Sequence, residues 1–216
     1  MSKNKHLFLF AFVLMFAAGC KKESVTRKTL TLQPAYNLYE RHLFGLSNGT
    51  DESDTSSMEI DAAAWTQNSI PATIRAVFKF DLSGIPQNAI IDSARLTLYS
   101  NPTPENGNLV DANFGTANAF LIQQVTSSWD PATTNSLNEP TATTTGQIVI
   151  PSTTQSFLDL PNIDVTAMIS SMVKNNTNYG FFMRLESEVT FNSRIFCSSR
   201  YSDPTKHPKL VVGYHY

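Results

Sequence analysis

The sequence predicts an all-β protein, an antiparallel β-sandwich with one short helix. Three observations carry that prediction. Two neighbouring segments, 74–81 and 89–100, alternate apolar and polar side chains with a period of two, the signature of half-buried strands. Short strand-like runs separated by Pro, Gly, Asn and Asp continue through the rest of the chain. A period of 3.6 residues occurs only between 164 and 175.

From the N-terminus, Lys3 and Lys5 precede an apolar run, Leu7 to Ala18, that is too short to span a bilayer permanently. Residues 1–19 therefore read as a signal peptide. Ala17-Ala18-Gly19-Cys20 resembles a bacterial lipobox, which makes Cys20 the lipidated residue of a mature protein and residues 20–29 its anchor and polar tether. Each acyl CH2 buried in the membrane contributes about 0.8 kcal/mol, so two or three chains hold the protein stably on the membrane surface. The expected location is the cell envelope, lipid-anchored, on the surface or periplasmic side of the outer membrane.

One domain, 30–216, fills the remainder. Leu30, Leu32 and Pro34 predict an edge strand, and 36–50 a strand and a loop. Asp51 to Ser57 is an acidic turn that lacks the spacing of a calcium loop. Met58 to Ala64 reads as a strand ending at Trp65. In the first alternating segment Ala76, Phe78 and Phe80 oppose Arg75, Lys79 and Asp81; in the second Ala94, Leu96 and Leu98 oppose Ser93, Arg95 and Thr97. The break between them is short and contains Gly84 and Pro86, which predicts a hairpin whose oily face a second sheet must cover. Residues 101–118 form a loop or excursion, 119–125 a strand, and 133–146 a Thr- and Asn-rich surface segment. Short strands are expected at 147–150 and 156–160. Val165, Met168, Ile169, Met172 and Val173 recur at helical spacing, so a helix should cover 166–174, started by Asp164 or Thr166. Strands at 180–186, 194–199 and 209–216 close the chain.

Composition excludes several functions. Removing residues 1–19 takes away Lys3 and Lys5 and no acidic residue, which moves the formal charge from −2 to −4. Nucleic-acid binding needs a clustered cationic surface and is not expected. Cys20 and Cys197 are the two cysteines, so there is no disulfide framework. His6, His42, His207 and His215 have no zinc-ligand spacing, and neither a nucleophile elbow nor a phosphate-binding loop occurs. No metal, cofactor or catalytic residue is expected. Cys197 reads as a buried structural thiol, and Glu186 with Glu188 as a solvated pair, although their i, i+2 spacing also fits a glycosidase.

Binding remains. Trp65, Trp129, Tyr39 and Tyr201 offer flat faces to sugar rings, while Arg75, Arg184, Arg194 and Arg200 offer two-pronged donors to carboxylates. If adjacent strands bring Arg184, Arg194 and Arg200 together, they form a cationic patch suited to an anionic polysaccharide. The alternative is structural: Arg184 pairs with Glu186 or Glu188, and Trp129 plugs the core.

Six segments, in order, resemble the DNRLRE-domain family, which includes alginate-type carbohydrate-binding modules. They are RAVFKFDLSGIP at 75–86, AIIDSARLTLY at 89–99, VTSSWDPATTNSLNEPTAT at 125–143, IDVTAMI at 163–169, YGFFMRLE at 179–186 and FCSSRYSDPTKHPKLVVGY at 196–214. The resemblance implies a jelly-roll-like β-sandwich on a secreted or surface protein. Leu137 stands where the family has a second tryptophan, and Arg200 where an acidic residue follows the Ser-Ser pair. The expected function is thus a non-catalytic surface lipoprotein that binds carbohydrate through Arg75, Trp129, Arg184, Arg194, Arg200 and Tyr201. The alternative is a structural or assembly lipoprotein whose partner is another envelope protein.

Overall fold

The structure, a computed structural model, describes residues 25–34, 39–105 and 110–216; the stretch read as a signal peptide, Cys20 and the start of the expected tether lie outside them. Twelve strands and one α-helix are formed among the described residues. They are β1 (Arg27–Leu32), β2 (Glu40–Leu46), β3 (Glu59–Gln67), β4 (Ile70–Phe78), β5 (Ile90–Leu98), β6 (Asn113–Phe114), β7 (Phe120–Val125), β8 (Ala142–Ile150), β9 (Leu160–Asp164), α1 (Thr166–Asn175), β10 (Phe181–Leu185), β11 (Asn192–Cys197) and β12 (Lys209–His215). A four-stranded sheet in the order β1-β12-β5-β9 faces an eight-stranded sheet in the order β6-β11-β3-β4-β10-β7-β8, with β2 also paired to β4. Every pairing between these strands is antiparallel, so the fold is the all-β sandwich that the alternation predicts.

The two alternating segments become β4 and β5, but they do not pair with each other. β4 lies in the larger sheet and β5 in the smaller, so the predicted hairpin is a crossover between sheets. The physical reason lies in the connection itself: Phe80, Leu82 and Ile85 are buried in the main core, which draws 79–89 across the end of the sandwich instead of into a tight turn. The oily rows of the two strands therefore cover one another. A tight hairpin occurs one strand earlier, where Gln67 pairs with Ile70 around Asn68 (φ 50°) and Ser69 (φ 66°), the two left-handed residues a two-residue hairpin requires.

Phe78, Phe120, Phe181 and Phe196 from the larger sheet and Leu96, Leu98, Leu210 and Val212 from the smaller fill the main core. Each of these buried side chains contributes roughly 2 kcal/mol in transfer terms. The helix lies where its apolar spacing predicts it, but neither Asp164 nor Thr166 is its N-cap: that position is Val165, with no side-chain cap hydrogen bond. Its buried residues are Met168, Ile169, Met172 and Val173, and it packs on β5, where the Ala94 N–H donates to Thr166 Oγ1 (2.9 Å). Asp164 Oδ1 accepts from the Thr166 N–H at 3.0 Å, and Asn176 ends the helix in the left-handed conformation (φ 51°).

Other boundaries moved. β1 starts at Arg27, inside the stretch read as tether, because the Thr26 and Tyr216 backbones bond reciprocally and β12 supplies a ladder partner that polarity alone does not reveal. β8 begins within the Thr-rich surface segment, where Ala142 pairs with Val125. The short β6 falls in the expected loop and pairs with β11.

The larger sheet also has an outer face, away from the main core. Leu43, Val77, Val125 and Phe182 form a second apolar cluster there, joined by Trp129, Ala142 and Tyr179. The segment between β7 and β8, residues 126–141, lies along this face.

Candidate functional site

Alternation along β4 sends Arg75, Val77 and Lys79 to the outer face, and Val77 pairs with Phe182 of β10. The 126–141 segment is fastened over that row at both ends. At one end Trp129 Nε1 donates to the Tyr179 carbonyl at 2.7 Å, while the Lys79 ammonium lies 5.2 Å from the Trp129 ring and 5.1 Å from the Tyr39 ring. At the other end Arg75 donates from Nε and Nη2 to Glu188 (both 2.7 Å) and from Nη1 to Glu139 (2.6 Å). These two ends differ in what they leave available.

Arg75 is fully engaged. Its bonds to Glu188 and the charge of Glu139 outweigh the partial burial that opposes a charge, and hold the guanidinium well above the ordinary arginine range. This contact ties β4 to the loops after β10 and before β8. Lys79, by contrast, is held by ring faces, and its ammonium has no carboxylate partner among the described residues. Beside it opens a cavity of about 450 Å³ lined by Ser128, Trp129, Asp130, Thr133, Thr134 and Asn138. The lining combines an aromatic wall, hydroxyls, an amide and the Asp130 carboxylate, with Lys79 outside it against the Trp129 ring, groups suited to the hydroxyls and apolar face of a sugar.

The arginine patch is not assembled. β10 pairs with β4 and β7 whereas β11 pairs with β3 and β6, so Arg184 and Arg194 stand on strands that are not neighbours. Arg194 is 0% exposed, shares its side of β11 with Phe196, and sits 5.1 Å from the Phe120 ring with one donor on the Pro151 carbonyl. Burial pulls its pKa down to about 10. A side chain in that position cannot reach a surface ligand. Arg184 lies on the outer face and bonds its neighbour's carbonyl, Leu185 O. Arg200 and Tyr201 follow β11; the Tyr201 hydroxyl is 3.4 Å from Thr103 Oγ1, and Arg200 lines a small pocket beside Glu40. Trp65 stands elsewhere, edge-to-face with Phe114 (5.4 Å) and Phe191 (4.9 Å). Glu186 and Glu188 follow β10 in a loop, and Glu188 is committed to Arg75.

A polar cluster lies where β2 meets β3. His42 approaches Asp54 at 3.4 Å and Asp61 at 3.2 Å through its two ring nitrogens. Burial opposes the imidazolium, but the two carboxylates outweigh it and raise His42 to about 10. Burial, reinforced by the Asp61 charge, pushes Glu59 up to about 9. The Asp51 and Asp54 carboxylates of the acidic turn accept bonds from Ser53, Ser136, Ser56 and Ser57. No group of three or more His, Cys, Asp or Glu among the described residues is placed to hold a metal ion. Cys197 is buried and its thiol is pushed up to about 12, which makes it inert at neutral pH.

Tyr39 and Trp129 were legible as candidates from their type alone; Lys79 was not. Its signal was its parity with Arg75 and Asp81 on the wet side of β4. Residues 48–214 match the family model for carbohydrate-binding module family 96. No curated protein matches the chain.

Proposed function

The chain belongs to carbohydrate-binding module family 96, and from that membership we propose a non-catalytic, lipid-anchored envelope protein that holds an anionic polysaccharide on the outer face of its larger sheet. The observation that carries this reading is Trp129, which lines a polar cavity and has the Lys79 ammonium 5.2 Å from its ring. Trp129 offers the apolar face of a sugar a flat partner. Lys79 attracts its carboxylate or sulfate. The anchor is the diacylglycerol expected on Cys20, which leaves the sandwich outside the bilayer.

A glycan array probed with the mature chain carrying Cys20→Ser tests the ligand. Binding to polyuronates or sulfated glycans is expected, and Trp129→Ala should weaken it at least tenfold, consistent with a ring contact worth about 1–3 kcal/mol by analogy with base–aromatic stacking. No glycan retained at any chain length would overturn the reading. For the anchor, detergent-phase partitioning of the full chain expressed in bacteria should be lost in Cys20→Ser; equal partitioning of the two would remove lipidation from the account.

A second reading has its own observation. Phe114 (39% exposed) and Phe191 (50%) flank Trp65 as an exposed apolar patch. Such patches suit contact with another protein. A photocrosslinker at Phe191 that captures one envelope protein would support an assembly role.

A further inference from the structure

A second cavity has Asp81 and Asn178 in its lining, two residues and one residue along the chain from Lys79 and Tyr179, which contact Trp129. Its volume is about 560 Å³, within the range of about 300–1,000 Å³ that small-molecule sites occupy. Asp81, Ser83, Gln87, Asn176 and Asn178 form its polar rim. Leu82, Ile85 and Met172, all buried in the main core, form its floor. The site thus sits between the crossover that follows β4 and the C-terminal end of α1.

The two cavities share one strip of backbone. β4 and β10 pair at Phe78 and Phe181, and the chains stay close beyond that point. Gly180 approaches Phe78 and Lys79 so closely that an added Cβ would lie 2.3 Å from the Phe78 carbonyl oxygen. Asn178 Nδ2 donates to the Phe80 carbonyl at 2.7 Å. From this strip Lys79 and Tyr179 contact Trp129, which lines the first cavity; Asp81 and Asn178 line the second. Lys79 and Asp81 are two residues apart just beyond the end of β4, a separation of at most about 7 Å. That distance is comparable with a short run of linked sugar rings.

The chemistry of the two ends differs. Lys79 presents a positive charge, whereas Asp81, whose carboxylate accepts from the Ser83 N–H at 2.9 Å, presents a negative one. A uronate is attracted at the first and repelled at the second. The amides of Gln87, Asn176 and Asn178 offer both donors and acceptors, which suit hydroxyl groups, and the apolar floor suits the C–H face of a ring. We propose that the second cavity is a further subsite for the same glycan chain, taking an uncharged, hydroxyl-bearing sugar next to the anionic residue held at Lys79 and Trp129. This rests on the carbohydrate-binding reading above. It predicts a preference for chains that alternate charged and neutral sugars.

Hexasaccharides of three kinds test it: all-uronate, all-neutral, and strictly alternating uronate and neutral hexose. Each is titrated into the mature chain carrying Cys20→Ser, followed by tryptophan fluorescence and by the side-chain amide NMR signals of Gln87 and Asn176. The alternating hexamer should bind at least fivefold more tightly than the all-uronate one and shift both amides. A Gln87→Ala/Asn176→Gly double variant should lose that margin while binding the all-uronate hexamer as the parent does. Glycine tolerates the left-handed backbone at 176, and an unchanged melting temperature verifies that the variant is folded. Equal affinity for the all-uronate hexamer with unmoved amides overturns the subsite and leaves the Trp129 site standing. An all-neutral hexamer that binds equally well and moves the amides keeps the subsite and removes the anionic part of the function. Failure of all three overturns the carbohydrate site and the subsite together.

Discussion

Arg194 shows how one side chain can carry opposite meanings in sequence and in space. Its Nε and Nη2 are buried without hydrogen-bond partners, and its charge is compensated by the Phe120 and Phe196 rings and one carbonyl. Replacing a buried ion with an apolar group of similar shape is often neutral or stabilising by about 1–4 kcal/mol. Arg194→Met should therefore leave the denaturation midpoint unchanged or raise it, whereas Arg194→Ala, which also opens a cavity, should lower stability by about 2–4 kcal/mol. Equal losses in both variants, measured by chemical denaturation, would mean that the guanidinium itself is required. The sequence held a clue: Arg194 and Phe196 have the same parity in a run that is buried throughout. Residue type pointed outward, parity pointed inward, and parity prevailed because a central strand has no free choice of face.

At the scale of elements, the junction between β4 and β10 controls both packing and the site. Gly180 has φ 82°, and an alanine Cβ there would lie 2.5 Å from the Lys79 Cβ. Both the left-handed backbone and the contact oppose substitution. Gly180→Ala should cost at least about 2 kcal/mol, since the left-handed conformation alone accounts for about 1–2 kcal/mol. It should also weaken glycan binding, because Lys79 and Tyr179 are positioned from the two sides of this contact. An unaltered melting temperature together with unaltered affinity would show that the junction can relax. The helix was legible because its five apolar residues repeat with a single period. The β4–β5 hairpin was misread because local alternation specifies a strand and its face, but not which sheet it joins.

For the whole molecule, the cluster around His42 links folding to pH. The imidazolium is favoured in the folded state, so its contribution is complete below the unfolded value of about 6.5 and is lost as pH rises through about 10. Glu59 acts in the same direction, since the folded protein retains a proton up to about 9 that the unfolded chain releases near 4.5. Asp54 acts oppositely: its partners hold it below its ordinary value, so its contribution is present above about 3.8 and is lost on acidification. The melting temperature should therefore be highest near pH 5–6 and fall steadily toward pH 9.5. Glu59→Gln, which mimics the protonated acid, should flatten that fall and raise the midpoint at pH 8. A wild-type profile that is level from pH 6 to 9.5 would contradict the assignment.

By itself the sequence determined that the chain forms strands, which side of β4 and β5 is oily, and where the helix lies. These are local properties, written in the spacing of neighbouring side chains. The tertiary structure alone decided that β4 and β5 face each other across the core, that Arg194 is interior, that Arg75 is bound by Glu139 and Glu188, and that Lys79 stands beside Trp129. Those outcomes depend on which distant strands pair and on competition for one buried volume. Periodicity along a single chain carries no measure of either.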